Sequence, residues 1–246
     1  ILDNDSEKLA TILLELGWPP RRDFYNEELI EIVSYYDNNE KEKVKKTLNN
    51  YLLEKYQGEK IIKIINKWDK EPILHKRLEI LHEAIKAHKN GNYYLSVATL
   101  LPQVEGIIAD GFGYKREMFD LKGNIKKLFK HYDSFEQKLQ EYYTEKILDS
   151  FEHNTEIDFS LNRHAIVHGG DVNFGYEINS LKAILFLDTI QGYINIIKIK
   201  EEDKYHQYGC EILENKRNEE WLPYRSVVYI NDKNKIPCER CKPNKI

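Results

Sequence analysis

Apolar residues recur along this chain every three or four positions and seldom in strict alternation, so the pattern predicts helices almost throughout. Leu9, Ile12, Leu13 and Leu16 predict a helix over 5–16, stopped by Gly17-Trp18-Pro19-Pro20. Leu29, Ile30, Ile32 and Val33 predict a second over 26–37. Two more follow over 40–56 and 58–68, the latter on Ile61, Ile62, Ile64 and Ile65. The charged run Asn39-Glu40-Lys41-Glu42-Lys43 reads as a solvated helix face. The polar break Asp69-Lys70-Glu71-Pro72 is taken as a boundary, giving an N-terminal helical region of 1–71.

Beyond it, Leu74, Leu78, Leu81 and Ile85 form one stripe of a helix over 73–89, ended by Asn90-Gly91-Asn92. Residues 93–109 (Leu95, Val97, Leu100, Leu101, Val104, Ile107, Ile108) predict an apolar helix that Pro102 should kink or tighten. Helices are expected over 119–131 and 134–152, and then a polar loop. The last long helix, over 177–199, is apolar on nearly every face, from Ile178 through Phe186 to Ile197. Such a helix is buried either in the core of one chain or at an oligomer interface. The tail of 201–246 turns polar, offers β-like runs at Tyr208–Leu213 and Ser226–Ile230, and ends Pro237-Cys238-Glu239-Arg240-Cys241. The expected fold is mainly α: the N-terminal region, a helical bundle of 72–200, and a small C-terminal tail with short strands.

Composition narrows the class. The chain has 246 residues, 41% hydrophobic and 32% charged, with mean hydropathy −0.65, values of a folded, soluble chain and not of a disordered one. No apolar run reaches the roughly 20 residues of a spanning helix, and no signal peptide is visible at the N-terminus, so no membrane partner is expected. Net charge is −4, so contact with nucleic acid has to come from a local patch and not from bulk attraction. Three cysteines are too few for a disulfide scaffold and suit a reducing, cytoplasmic setting.

Titratable groups crowd into one short stretch, Asn162-Arg163-His164-Ala165-Ile166-Val167-His168-Gly169-Gly170. It ends on a helix-stopping Gly-Gly and precedes the most apolar helix of the chain. Polar groups pressed against a buried helix need a reason, either a helix-end cluster that caps and solvates or a functional site. The same Arg-to-His spacing occurs at Arg77 and His82, but there Leu78 and Leu81 supply an ordinary amphipathic stripe, and that copy reads as coincidence.

The stretch resembles the signature of the HEPN superfamily of all-α ribonucleases: an arginine, four to six residues, then a histidine, often with a polar residue after the arginine and glycine after the histidine. Arg163 and His168 match the two fixed positions, His164 the polar one and Gly169 the glycine. The resemblance covers about 73–199, where the motif stands before the last long helix. A toxin subgroup has a modified tyrosine two positions after the histidine; here that position is Gly170. The resemblance implies a metal-independent endoribonuclease of a bacterial defence or toxin–antitoxin system, acting on RNA as a homodimer, with an antitoxin or regulatory protein as a further partner. The alternative it leaves is a non-catalytic module that binds RNA or nucleotide, or a regulatory partner in a larger complex. His168 is then expected as acid and base, because imidazole titrates near neutrality. Arg163 becomes a phosphate clamp, with Asn162 and His164 as supporting donors. On a regular helix Arg163 and His168 point about 140° apart. An irregular backbone at Arg163, the reach of arginine, or a second copy across a twofold axis would reconcile them.

Three further candidates remain. Glu105, in an otherwise apolar helix, is either a partner for Arg163 or His168 or part of an exposed polar stripe with Gln103. His164 and His168 have the spacing of a helical zinc pair but need a third ligand, such as Asp171. No cofactor is expected for catalysis. Cys238 and Cys241 form a C-x-x-C which, with Cys210 and His206, would make a four-ligand structural zinc site; the other reading is an unliganded, reduced tail.

Overall fold

The structure is a computed structural model that describes residues 2–24, 27–113, 120–130, 133–153, 155, 157, 159, 161–194, 196–199, 202–214, 221–223 and 236–243. It is mainly α, as the periodicity predicts. The N-terminal helices are α1 (Leu2–Glu15), α2 (Glu27–Asp37), α3 (Lys41–Lys55) and α4 (Glu59–Trp68). A 3-10 turn, Pro72–Arg77, leads into α5 (Leu78–Lys89), followed by α6 (Tyr93–Gly111), which runs through Pro102. Next are α7 (Leu121–Phe129), α8 (Ser134–Glu141) with a wider π turn over Tyr142–Ile147, the short α9 (Arg163–Val167) and α10 (Glu177–Ile194). A small sheet closes the chain: β1 (Ile196–Ile199), β2 (Lys204–Gln207), a short α11 (Glu211–Glu214), β3 (Trp221–Pro223) and β4 (Ile236–Pro237), in the order β3-β1-β2-β4.

Helix α10 is the axis of the molecule. It packs chiefly on α6, which packs in turn on α5. Its apolar residues, Leu181 through Ile194, are buried inside a single chain. Each fully buried side chain of this size contributes roughly 1.5–3 kcal/mol. Of the two readings of this helix, core of one chain or oligomer interface, its burial selects the core of one chain. One buried cluster runs from Leu9 in α1 to Ile194, without a break at residues 69–72.

Two other expectations change. Helix α10 stops at Ile194, and Ile196–Ile199 is a strand, although 177–199 reads as one helix. In Ile194–Ile199 the apolar positions Ile194, Ile196, Ile197 and Ile199, parted by Asn195 and Lys198, fit a helical stripe as well as a strand, which hides the change of period. Tyr208–Leu213 is not a strand either: β2 lies just before it, Gly209 takes a left-handed φ of 84° in a tight turn, and α11 follows. The Ser226–Ile230 run lies outside the described residues. Among the described residues, no helix is long and apolar enough to cross a membrane.

Polar contacts bind the N-terminal helices to α10. Asp188, 3% exposed, accepts from Arg21 Nη1, Lys67 Nζ and Trp68 Nε1, each at 3.0 Å. Arg21 Nη1 also donates to the Leu185 carbonyl at 2.9 Å. The adjacent Arg22 holds Glu136 through Nε at 2.8 Å and Nη2 at 2.7 Å, and the Tyr193 hydroxyl donates to the same carboxylate at 3.0 Å. Lys182, also on α10, donates to the Leu16 carbonyl at 3.1 Å and lies over the Trp18 ring. Burial, with some help from Lys45, pushes its pKa down to about 7.

Burial alone would raise the Asp188 pKa, but Arg21 and Lys67 outweigh it and hold the carboxyl below the usual carboxylate range. A depressed folded pKa contributes stability above the unfolded value of about 3.9, and that stability is lost as pH falls through the lower folded value. Asp188→Ala, which leaves Arg21 paired with Asp23 but takes the acceptor from Lys67 Nζ and Trp68 Nε1, is expected to lower unfolding free energy by about 1–3 kcal/mol in urea titrations at neutral pH. Asp188→Asn should show a flatter decline of stability on acidification than the parent. A neutral outcome for Asp188→Ala would mean that the network is incidental to the fold.

Candidate functional site

The Asn162–Gly170 stretch folds into a single capped turn on the bundle surface. Asn162, 4% exposed, is the N-cap of α9: its Oδ1 accepts from the Ala165 N–H at 3.0 Å, and its Nδ2 donates to the Asp149 carbonyl at 3.2 Å. The helix lasts only to Val167 because Gly169, with φ 74°, turns the chain. The Gly170 N–H then donates back to the Ala165 carbonyl at 2.7 Å. The backbone is not irregular at Arg163, which opens a regular helical turn; the chain leaves the helix only at its C-cap, His168.

Arg163 reaches α6 and forms an ion pair with Glu105. Of the two readings of Glu105, the structure selects the arginine partner. The pair is a charge contact and not an aligned hydrogen bond, since Glu105 Oε2 and Arg163 Nε, both buried atoms, have no hydrogen-bond partner. Tyr143, buried beside them, has its pKa raised by burial first and by the Glu105 charge second, so it stays a neutral hydroxyl.

The histidines face one another: the His164 and His168 ring centroids are 6.3 Å apart, edge to face. Burial, followed by the charges of Arg163 and His168, lowers the His164 pKa below the ordinary histidine value. Phe151 lies nearly parallel to His168 at 6.4 Å and meets His153 edge-on at 4.9 Å. Sequence reasoning missed Phe151, which stands far from the motif in the chain. Among the described residues, no ion pair or ring contact joins Arg163 to His168; His164 is the neighbour they share.

Asn162, expected as a supporting donor, has its amide engaged in capping and in holding Asp149, so it positions the turn. Arg77 and His82 are held apart by separate carboxylates, Arg77 by Asp110 and His82 by Asp69 at 2.7 Å. His164, His168 and Asp171 do not form a three-ligand group among the described residues.

A second cluster lies at the other end of α10. His206, Cys210, Cys238 and Cys241 each offer one ligand atom, all within 4.8 Å of one another, and the set could hold a metal ion. His206, Cys210 and Cys238 are buried and Cys241 is partly exposed. Comparison of the chain with protein-family models, curated proteins and solved structures gives no match. Only residue chemistry and geometry therefore bear on function.

Asn162→Ala should cost about 1–2 kcal/mol in chemical denaturation, through loss of the cap and of the donor to Asp149. Amide exchange at Ala165 should accelerate in the same variant, and Asn162→Asp, which keeps the cap, should recover part of both. Unchanged exchange at Ala165 would show that the turn is held by other contacts.

Proposed function

We propose that the protein is an endoribonuclease that cleaves RNA without a catalytic metal, by attack of the substrate's own 2′-hydroxyl. The observation that carries this reading is the motif's local geometry: an arginine fixed on a carboxylate, and beside it two facing imidazoles, one below its ordinary pKa and the other exposed on the surface. The 2′-oxygen attacks the adjacent phosphorus, the bond from phosphorus to the 5′-oxygen breaks, and no water is consumed. One base must take the 2′-hydroxyl proton and one acid must protonate the leaving 5′-oxygen, which two histidines supply near neutral pH. His168 is assigned the principal proton transfers, with His164 as the imidazole held neutral beside it. Arg163, steadied by Glu105, is assigned to the charge that builds on the phosphate oxygens. A defence or toxin role, with an antitoxin or regulatory partner, follows from the HEPN resemblance alone.

The homodimer expected from the same resemblance needs a surface other than α10. Tyr94, Leu95, Val172 and Tyr176 are all at least half exposed, and Tyr94 reaches the chain beyond the motif through its hydroxyl to the Val172 carbonyl at 3.1 Å. An exposed apolar patch beside a site is a natural seat for a second copy. Zinc, the ion expected at the Cys/His cluster, would be structural and take no step in the reaction.

One observation favours the non-catalytic reading: Arg163 is engaged by Glu105, and among the described residues no ion pair or ring contact joins it to His168. Purified protein incubated with total cellular RNA distinguishes the two. The expected result is cleavage that survives EDTA and leaves 2′,3′-cyclic phosphate and 5′-hydroxyl ends. His168→Ala should abolish it and any cellular toxicity, and His82→Ala should do neither. Binding without cleavage would establish the module; activity lost to EDTA and restored by metal would overturn the mechanism. Light scattering should report a dimer that Leu95→Glu converts to monomer.

A further inference from the structure

We propose that His206, Cys210, Cys238 and Cys241 bind one zinc ion, and that this ion, more than the sheet's own packing, holds residues 236–243 against β2. The inference does not depend on ribonuclease activity.

The donor set comes first. Three thiols and an imidazole are soft donors that suit zinc, whereas magnesium and calcium need oxygen ligands, and no carboxylate belongs to the cluster. Four protein donors complete a tetrahedron and leave no open position, the arrangement of a structural site. Zinc–sulfur bonds of about 2.3 Å and a zinc–nitrogen bond of about 2.0 Å give tetrahedral edges of about 3.5–3.8 Å. Ligand atoms already within 4.8 Å of one another need only a small contraction to reach that.

The backbone builds the cluster from both sides. His206 lies in β2, and the left-handed turn at Gly209 brings Cys210 back beside it. The Cys210 N–H donates to the Gln207 carbonyl at 3.1 Å, which closes that turn. On the other side β4 pairs in parallel with β2, Lys204 opposite Ile236 and Tyr205 opposite Pro237. The Cys238 N–H continues the ladder to the Tyr205 carbonyl at 2.9 Å. The next turn is closed by the Lys242 N–H on the Cys238 carbonyl at 2.9 Å, which returns Cys241 to the cluster. The Gln207 N–H points at Cys241 Sγ at 3.3 Å, an outer contact of the kind that orients a ligand sulfur. All three cysteines are free of disulfides.

Packing explains why an ion is needed. Among the described residues, the buried apolar cluster here consists of Ile197, Ile199, Cys210, Leu213 and Cys238, and two of those five are ligands. Strand β4 is two residues long, and its Ile236 is half exposed. The apolar burial that the described residues supply is small for holding 236–243 in place.

The test uses the full chain. After dialysis against metal-free buffer, elemental analysis should find one zinc per chain, and titration of the wild-type protein with a mercurial should release it as three thiols react. Protein expressed with cobalt should show thiolate-to-cobalt absorption and tetrahedral d–d bands. Cys238→Ser and Cys210→Ser should each reduce zinc at least several-fold and expose the tail to limited proteolysis, while far-ultraviolet dichroism stays helical. His168→Ala should keep its zinc whether or not it cleaves RNA, so this inference and the ribonuclease reading fail separately. A wild-type chain without zinc, a chain with iron instead, or a Cys238–Cys241 disulfide by mass spectrometry would overturn the proposal.

Discussion

A carboxylate buried in an apolar helix has to be neutralised, and Asp188 imposes that condition on the whole molecule. Its counterions, Arg21 and Lys67, and the indole N–H of Trp68 all come from the first four helices and their connections. The central helix of the bundle is therefore electrostatically incomplete without the N-terminal region, and the shared apolar core reinforces the dependence. Arg22 on Glu136 makes a second tie of the same kind one residue away. Together these contacts fix the position of α10, and α10 fixes what lies at its ends.

Those ends carry different chemistry. The motif turn leads into the first residues of α10, and the sheet with its Cys/His cluster begins just after the last. Eighteen helical residues separate them by about 27 Å, so events at one are not felt at the other by direct contact. Rigid packing of α10 on α6 matters more to the motif, because Glu105 on α6 holds Arg163.

The helices were legible because an apolar stripe at helical spacing has one simple reading, and the stops at Gly17, Gly91 and Gly169 mark real ends. The change from helix to strand at Ile194 was not, because Ile194, Ile196, Ile197 and Ile199 keep three-residue spacings that suit a helix as well as a strand. Tyr208–Leu213 misled for the opposite reason: its β-like composition hides the turn that Gly209 requires. The Cys/His ligand set could be read from its two spacings, since metal ligands come in short local pairs. Asp188 with Arg21, Arg77 with Asp110, and Phe151 against His168 are pairings between distant parts of the chain, which one sequence does not reveal. The Arg163–His168 spacing marked a real turn, and Glu105, one of the two readings open in the sequence, is the carboxylate that Arg163 holds.

Gly170 carries a further consequence. A Cβ at this position would come within 2.3 Å of Phe151 Cε2, the same ring that lies along His168. A side chain here, whatever its kind, cannot be accommodated until that ring has moved. The ring can give way only by swinging off His168 or by being replaced with a smaller side chain. Two positions that look independent in the sequence are thereby epistatic in the fold: what residue 170 can become depends on what stands at residue 151.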